Sequence, residues 1–91
     1  MYAALVSVTI DDGKEDEARK MLHDVILPMV KGSQGFVAGY WLAPQGNKGW
    51  SVTLFDTEEH AKAAAPPAGQ RPQGAPVMVD HVEFREVIES A

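Results

Sequence analysis

Phe36-Val37-Ala38-Gly39-Tyr40-Trp41-Leu42-Ala43-Pro44-Gln45-Gly46-Asn47-Lys48-Gly49-Trp50-Ser51-Val52-Thr53-Leu54-Phe55 is the stretch on which the fold turns. Two runs rich in aromatic and β-branched residues, 36–43 and 50–55, flank a segment whose Gly and Asn content marks a turn. The pattern predicts a β-hairpin. Its first strand is apolar on both faces, with Phe36, Ala38, Tyr40 and Leu42 on one and Val37, Gly39, Trp41 and Ala43 on the other. Such a strand needs cover on both sides.

Each side of the hairpin carries a helix and then a strand. Upstream, residues 2–10 form a strand pattern, one face wholly apolar (Tyr2, Ala4, Val6, Val8, Ile10) and the other small and mixed (Ala3, Leu5, Ser7, Thr9). Between it and the hairpin, Ala18, Met21, Leu22, Val25, Ile26, Met29 and Val30 recur at three- and four-residue steps, a single helical stripe. Asp12 and Glu15 have capping-box spacing at its start, and Glu15, Asp16 and Glu17 suit the positive end of the helix dipole. Pro28 removes a backbone donor and predicts a kink in the last turn; Lys31 and Gly32 supply the stop. Downstream, Asp56 or Thr57 can cap a short helix over 58–65 that must end by Pro66-Pro67. A Gly- and Pro-rich stretch over 66–76 predicts a flexible loop with few apolar anchors, and 77–88 reads as a last long strand.

The order strand, helix, strand, strand, helix, strand is the split βαβ motif. It predicts an α+β, ferredoxin-like βαββαβ fold: a four-stranded antiparallel sheet, strands one and three central, with two helices on one face. Ninety-one residues make a single domain over 1–91. Two helices cover only one sheet face. Leaving Leu5, Val37, Trp41 and Phe55 wet would expose an apolar patch of several hundred Å², so a homodimer through the second face is expected.

Composition narrows the function classes. Eight Lys and Arg are dispersed in a chain of net charge −5, which gives a phosphate backbone no clustered positive charge to bind, so no nucleic acid is expected. With no cysteine the chain has no disulfide, thiolate metal site or Cys nucleophile. No apolar run approaches the roughly 18–20 residues that span a bilayer, and the N-terminus lacks a basic leader; no membrane partner and a cytoplasmic location are expected. No two histidines have helical ligand spacing, so no metal site is expected. GxGxxG, P-loop and GxSxG motifs are all missing from the sequence.

The chain resembles the dimeric α/β-barrel superfamily, most closely its antibiotic-biosynthesis-monooxygenase-like branch. The resemblance spans nearly the whole chain. It rests on the strand order, on Leu27-Pro28-Met29-Val30 closing the first helix, on Gln34-Gly35-Phe36 followed by Gly39-Tyr40, and on Phe55-Asp56-Thr57-Glu58-Glu59 entering the second helix. It implies a dimer in which each subunit holds a small cavity between sheet and helices. It also implies functions that range from cofactor-independent oxidation of aromatic polyketides to haem degradation. Many members carry a carboxylate-x-Trp-x-Ser signature at the end of strand three and a His later in the second helix. Here that run is Leu54-Phe55-Asp56-Thr57, without the Trp, and His60 falls earlier. The departure leaves the expected fold standing, argues against haem cleavage and leaves polyketide oxidation open.

The resemblance therefore implies a small-ligand protein that oxidises an electron-rich aromatic without a cofactor. The alternative is a non-catalytic dimeric scaffold or small-molecule-binding module. Under the first reading Ser7, Trp41, Thr53 and His81 line the ligand site, with His81 as the catalytic base and Arg71 in a lid. His81 is placed mid-strand with Val77, Val79, Glu83 and Arg85, opposite Met78, Val82 and Phe84; Asp80 and Glu83 then fall on opposite faces. His60 and His23 read as solvated side chains, and Trp50 as core or interface.

Overall fold

A computed structural model describes residues 1–72 and 74–91; Gln73, within the loop expected to be flexible, lies outside the described residues. Four strands, β1 (Tyr2–Ile10), β2 (Phe36–Trp41), β3 (Lys48–Phe55) and β4 (Val77–Glu86), form one antiparallel sheet in the order β2-β3-β1-β4. The predicted topology is the observed one. The helix joining β1 to β2 passes over β3, and α3 (Glu58–Ala64) joins β3 to β4 over β1. The hairpin turn is tighter than its sequence suggested. Gln45 and Lys48 exchange backbone hydrogen bonds of 3.0 and 3.1 Å around Gly46-Asn47, and Gly46 takes φ +60°. β3 consequently starts at Lys48.

The helix-covered face of the sheet is the apolar face of β1. Ala4, Val6, Thr53, Phe55 and Val79 are buried there beneath α3, whose Ala61 is fully buried. Lys62 of α3 places its ammonium 5.9 Å from the ring of Phe84, on the same face. Thr57 caps α3, its hydroxyl accepting the His60 N–H at 3.1 Å. The capping box expected from Asp12 and Glu15 does not form. Lys14 occupies the cap without a side-chain bond, and the carboxylate of Asp12 instead accepts from the Asn47 amide across the β3 turn.

Three one-residue insertions change which side chains share a face. In β2 the register passes from Phe36↔Phe55 to Ala38↔Leu54, so Val37 is an extra residue and Phe36 falls on the side of Gly39 and Trp41. In β4 the register passes from Ser7↔His81 to Val8↔Val79, so Asp80 is an extra residue. Strict alternation breaks there. Val77, Val79, Val82 and Phe84 all lie on the helix side, while Met78, Asp80, His81, Glu83 and Arg85 share the outer face. Asp80 and Glu83 are therefore on one face, contrary to the alternation expected from the sequence.

The third insertion is in the long helix. α1 (Glu15–Met21) runs into a π segment (Leu22–Ile26) and then α2 (Leu27–Lys31). The Leu27 N–H donates to the Leu22 carbonyl five residues back, widening the turn just before Pro28, which has no N–H to donate. The extra residue rotates everything after it. Ala18, Met21, Leu22, Ile26, Leu27 and Val30 are half-buried, whereas Val25 and Met29, members of the expected stripe, are 49% and 61% exposed. No residue of the helix over 15–31 is buried. The loop after α3 is better anchored than its composition implied: Ala75 and Pro76 are buried, and Gly69 and Gln70 bond the backbone of Val79.

Candidate functional site

α3 packs on β1, β3 and β4 rather than on β2, so the helix side of β2 has only the long helix to pass over it. Phe36, Gly39 and Trp41 of β2 and Ser51 of β3 remain half-buried there. The long helix carries an apolar stripe but no buried residue and runs over a half-buried aromatic sheet surface, so the two layers do not pack as a closed core and the space between them is the candidate cleft.

The floor of that cleft is built by backbone economy. A side chain at Gly39 would meet the indole of Trp41 at 2.8 Å and the ring of Phe36 at 3.4 Å, so the missing Cβ lets both rings lie across the β2 backbone. Phe36 in turn meets Phe55 edge to face, centroids 5.9 Å apart. Thr53 is Gly39's cross-strand partner and is buried. Trp41 and Thr53, two of the residues expected to hold ligand, thus share one patch. Trp41 and Phe55 lie on the helix side, so they do not belong to the outer face that the sequence pattern gave them.

At the end of this floor, where β2 begins and β3 ends, lies a polar cluster. His60 Nδ1 is 2.6 Å from Asp56 Oδ1, four residues earlier. Asp56 also donates its backbone N–H to the Gly35 carbonyl at 2.9 Å. Gly35, at φ +81°, has its Cα against both side chains, and any Cβ there would overlap the carboxylate and the imidazole. The His60 hydrogen bond, the largest influence, holds the Asp56 carboxyl below the ordinary carboxylate range. An ionised carboxylate only accepts, so Nδ1 carries a proton in this contact, and in the neutral form of the ring the lone pair then sits on Nε2. Among the described residues Nε2 has no hydrogen-bond partner, and it is not a buried orphan; it is open to solvent. Sequence reading left His60 as a solvated residue. The Asp56-x-x-x-His60 spacing on a helix entrance was the available signal, but the role of Gly35 needed the fold.

The remaining predicted residues lie elsewhere. Ser7 and His81 are cross-strand partners on the outer face, away from the helices. His81 is exposed, its Nε2 3.2 Å from Glu83 Oε1, and Arg85 bonds the other oxygen of the same carboxylate. This hydrogen bond from His81, followed by the charge of Arg85, lowers the Glu83 pKa. Beside them Asp80 accepts from Thr9 at 2.6 Å and pairs with Lys48 at 3.4 Å. Arg71 sits at the opposite end of β1 from His60. It bonds Asp11 at 2.8 Å and the Ala75 carbonyl at 3.1 Å, beside an open recess of about 360 Å³ walled by Pro66, Pro67, Pro72 and Val79. The structure therefore brings Trp41 and Thr53 together and separates them from Ser7, His81 and Arg71. No group of three or more metal-ligating side chains occurs among the described residues.

No family model and no curated protein matches the sequence. Solved structures match the fold. One is MhuD carrying a single substitution, with two manganese protoporphyrin IX bound per active site: TM-score 0.70, 19% identity, covering 100% of this chain and 98% of that one. Another is the heme-degrading protein Rv3592 from Mycobacterium tuberculosis in a heme-free form: TM-score 0.67, 19% identity, covering 100% and 99%. At that identity the likeness is one of architecture, and over its whole length this chain has the α+β, ferredoxin-like fold of those two structures.

Proposed function

We propose that the chain is a monooxygenase-like member of the dimeric α/β-barrel superfamily that binds a small planar aromatic between its long helix and the β2–β3 half of its sheet. One observation carries the reading: the helix over 15–31 has an apolar stripe and no buried residue, over a sheet surface where Trp41 and Phe36 meet at Gly39. Apolar surfaces left apart in this way gain free energy when a flat apolar ligand fills the gap. The ligand class is an electron-rich aromatic bearing a phenolic hydroxyl, because the polar group at the end of the floor is a histidine with one free nitrogen.

The subunits pair through the outer face. Leu5, Ala38, Tyr40, Trp50, Val52 and Leu54 form its apolar half, Tyr40 and Trp50 being 61% and 49% exposed in the single chain. The charged residues of β4 form the other half. A second reading, that the ligand is heme or another porphyrin, is favoured by the fold neighbours, one of which holds manganese protoporphyrin IX.

Binding is tested by titrating a hydroxyanthraquinone and, separately, hemin into the Trp50→Phe variant, in which Trp41 is the only indole. Saturable quenching of Trp41 emission supports the cleft, and the tighter ligand identifies the class. Absence of quenching by either refutes it.

A further inference from the structure

We propose that His60 takes the phenolic proton of the ligand in the helix–sheet cleft, with Asp56 as the positioning residue for its imidazole and Gly35 making room for the pair. The inference rests on the cleft reading above and assigns its base.

Three features, drawn from the 56–60 helix entrance and the turn at Gly35, converge on one imidazole. The first is the 2.6 Å bond from His60 Nδ1 to Asp56 Oδ1, which fixes the ring and the tautomer. The second is the double tether of the pair: the Asp56 backbone to the Gly35 carbonyl at 2.9 Å, and the His60 backbone to the Thr57 hydroxyl at 3.1 Å. The third is Gly35 itself, whose left-handed conformation and missing Cβ bring the chain against both side chains. A surface histidine needs none of these. The pair stands next to Phe36, the first ring of the cleft floor, and Asp56 directly follows Phe55, the ring that Phe36 meets edge to face.

The chemistry is a single proton transfer. The phenolic O–H bond breaks, its electron pair stays on oxygen as phenolate, and the proton forms a bond to Nε2, giving an imidazolium. Asp56 supplies the negative charge beside that imidazolium and remains ionised, as the aspartate of a catalytic triad does. Among the described residues Asp56 is the one charged side chain bonded to His60; Glu58 of the same helix turn is paired with Lys62 at 3.6 Å. The transfer needs Nε2 within about 2.6–3.2 Å of the phenolic oxygen.

The test uses a hydroxyanthraquinone whose absorption moves to the red when it loses its phenolic proton, with Trp41 quenching in the Trp50→Phe background as an independent measure of occupancy. Bound to this protein, the dye is expected to ionise at least about one pH unit below the free dye, a tenfold shift in its equilibrium. In His60→Gln the dye should still quench Trp41 at saturating concentration but ionise no more readily than in water. Asp56→Asn keeps the imidazole and loses its partner, so the bound dye should ionise at a higher pH than in the parent protein. If His60→Gln binds the dye and retains the lowered ionisation, another group is the base and the proposal is overturned while the cleft stands. Should His60→Gln fail to fold, an unchanged ionisation in Asp56→Asn overturns it equally. If the parent protein shows no quenching at all, the cleft reading fails and this assignment falls with it.

Discussion

Replacing Phe55 and Leu22 in turn by alanine tests the cleft without any ligand. Phe55 is 1% exposed, set edge to face against Phe36 and paired with Tyr2 of β1. Its truncation leaves a cavity that the sheet cannot collapse to fill, at a cost of about 3–5 kcal/mol. Leu22 stands at the start of the π segment and is only half-buried. Fully burying a leucine is worth roughly 1.5–3 kcal/mol, so a half-buried one that opens onto a cleft gives up about 1 kcal/mol and leaves no closed cavity. A packed helix–sheet interface would demand about 2–5 kcal/mol at the same residue.

The two outcomes are well separated experimentally. For a domain of this size 1 kcal/mol moves the melting midpoint by about 4–8 °C. Leu22→Ala should therefore melt within about 8 °C of the parent, and Phe55→Ala should lose three times as much or more. Urea denaturation followed by far-ultraviolet circular dichroism gives the same comparison through the midpoint, provided the slopes agree. Equal losses from the two substitutions would mean that the long helix is packed tightly on the sheet. There would then be no room for a ligand beneath it.

Two further outcomes follow from the outer face and its charges. Sedimentation at micromolar concentration should give about twice the 9.9 kDa chain mass, and Trp50→Glu should give the monomer; a monomeric parent would remove the case for pairing through that face. Asp56, Asp80 and Glu83 all have pKa values below the ordinary range, held there chiefly by His60, the Thr9 hydroxyl and His81 respectively. Depressed acids stabilise the fold above their unfolded pKa and lose that contribution as pH falls through the folded one. Stability should therefore drop from about pH 4 downward. Asp80→Asn should flatten part of that acid limb in urea midpoints, and parallel limbs for variant and parent would show that the Thr9–Asp80–Lys48 cluster does not form in solution.

The strand order, the helix positions and the existence of a two-faced sheet were all legible in the sequence, because each rests on local periodicity and turn residues. The face assignments were legible only as far as periodicity held. At Asp80 one inserted residue resets the period of two, carrying Val82 and Phe84 to the side of Val77 and Val79 and placing His81 outside with Asp80. In the π segment one inserted residue resets the period of 3.6, turning Leu27 inward and Val25 and Met29 out. Neither insertion leaves a mark in composition: valines surround the bulge, and the π segment reads as ordinary helix until Pro28.

The site was obscured for the same reason, and the consequence is functional. A lining of Ser7, Trp41, Thr53 and His81 assumes that all four side chains reach one cavity, yet the register puts Ser7 opposite His81 on one face and Trp41 with Thr53 on the other. Had strict alternation and an unbroken α-helix held, the helix stripe would have matched the sheet face along its length and the two layers could close. The π turn instead shifts the second half of the stripe out of phase with the first, and the helix meets the sheet without burying any of its residues. On the proposed reading, the irregularity that defeats the sequence analysis is thus the one that leaves room for a ligand. Gly35 completes the argument at the cleft's end, because no local pattern ties a turn residue before β2 to a carboxylate after β3. Only the pairing of Phe36 with Phe55 brings the two together and gives His60 its fixed orientation.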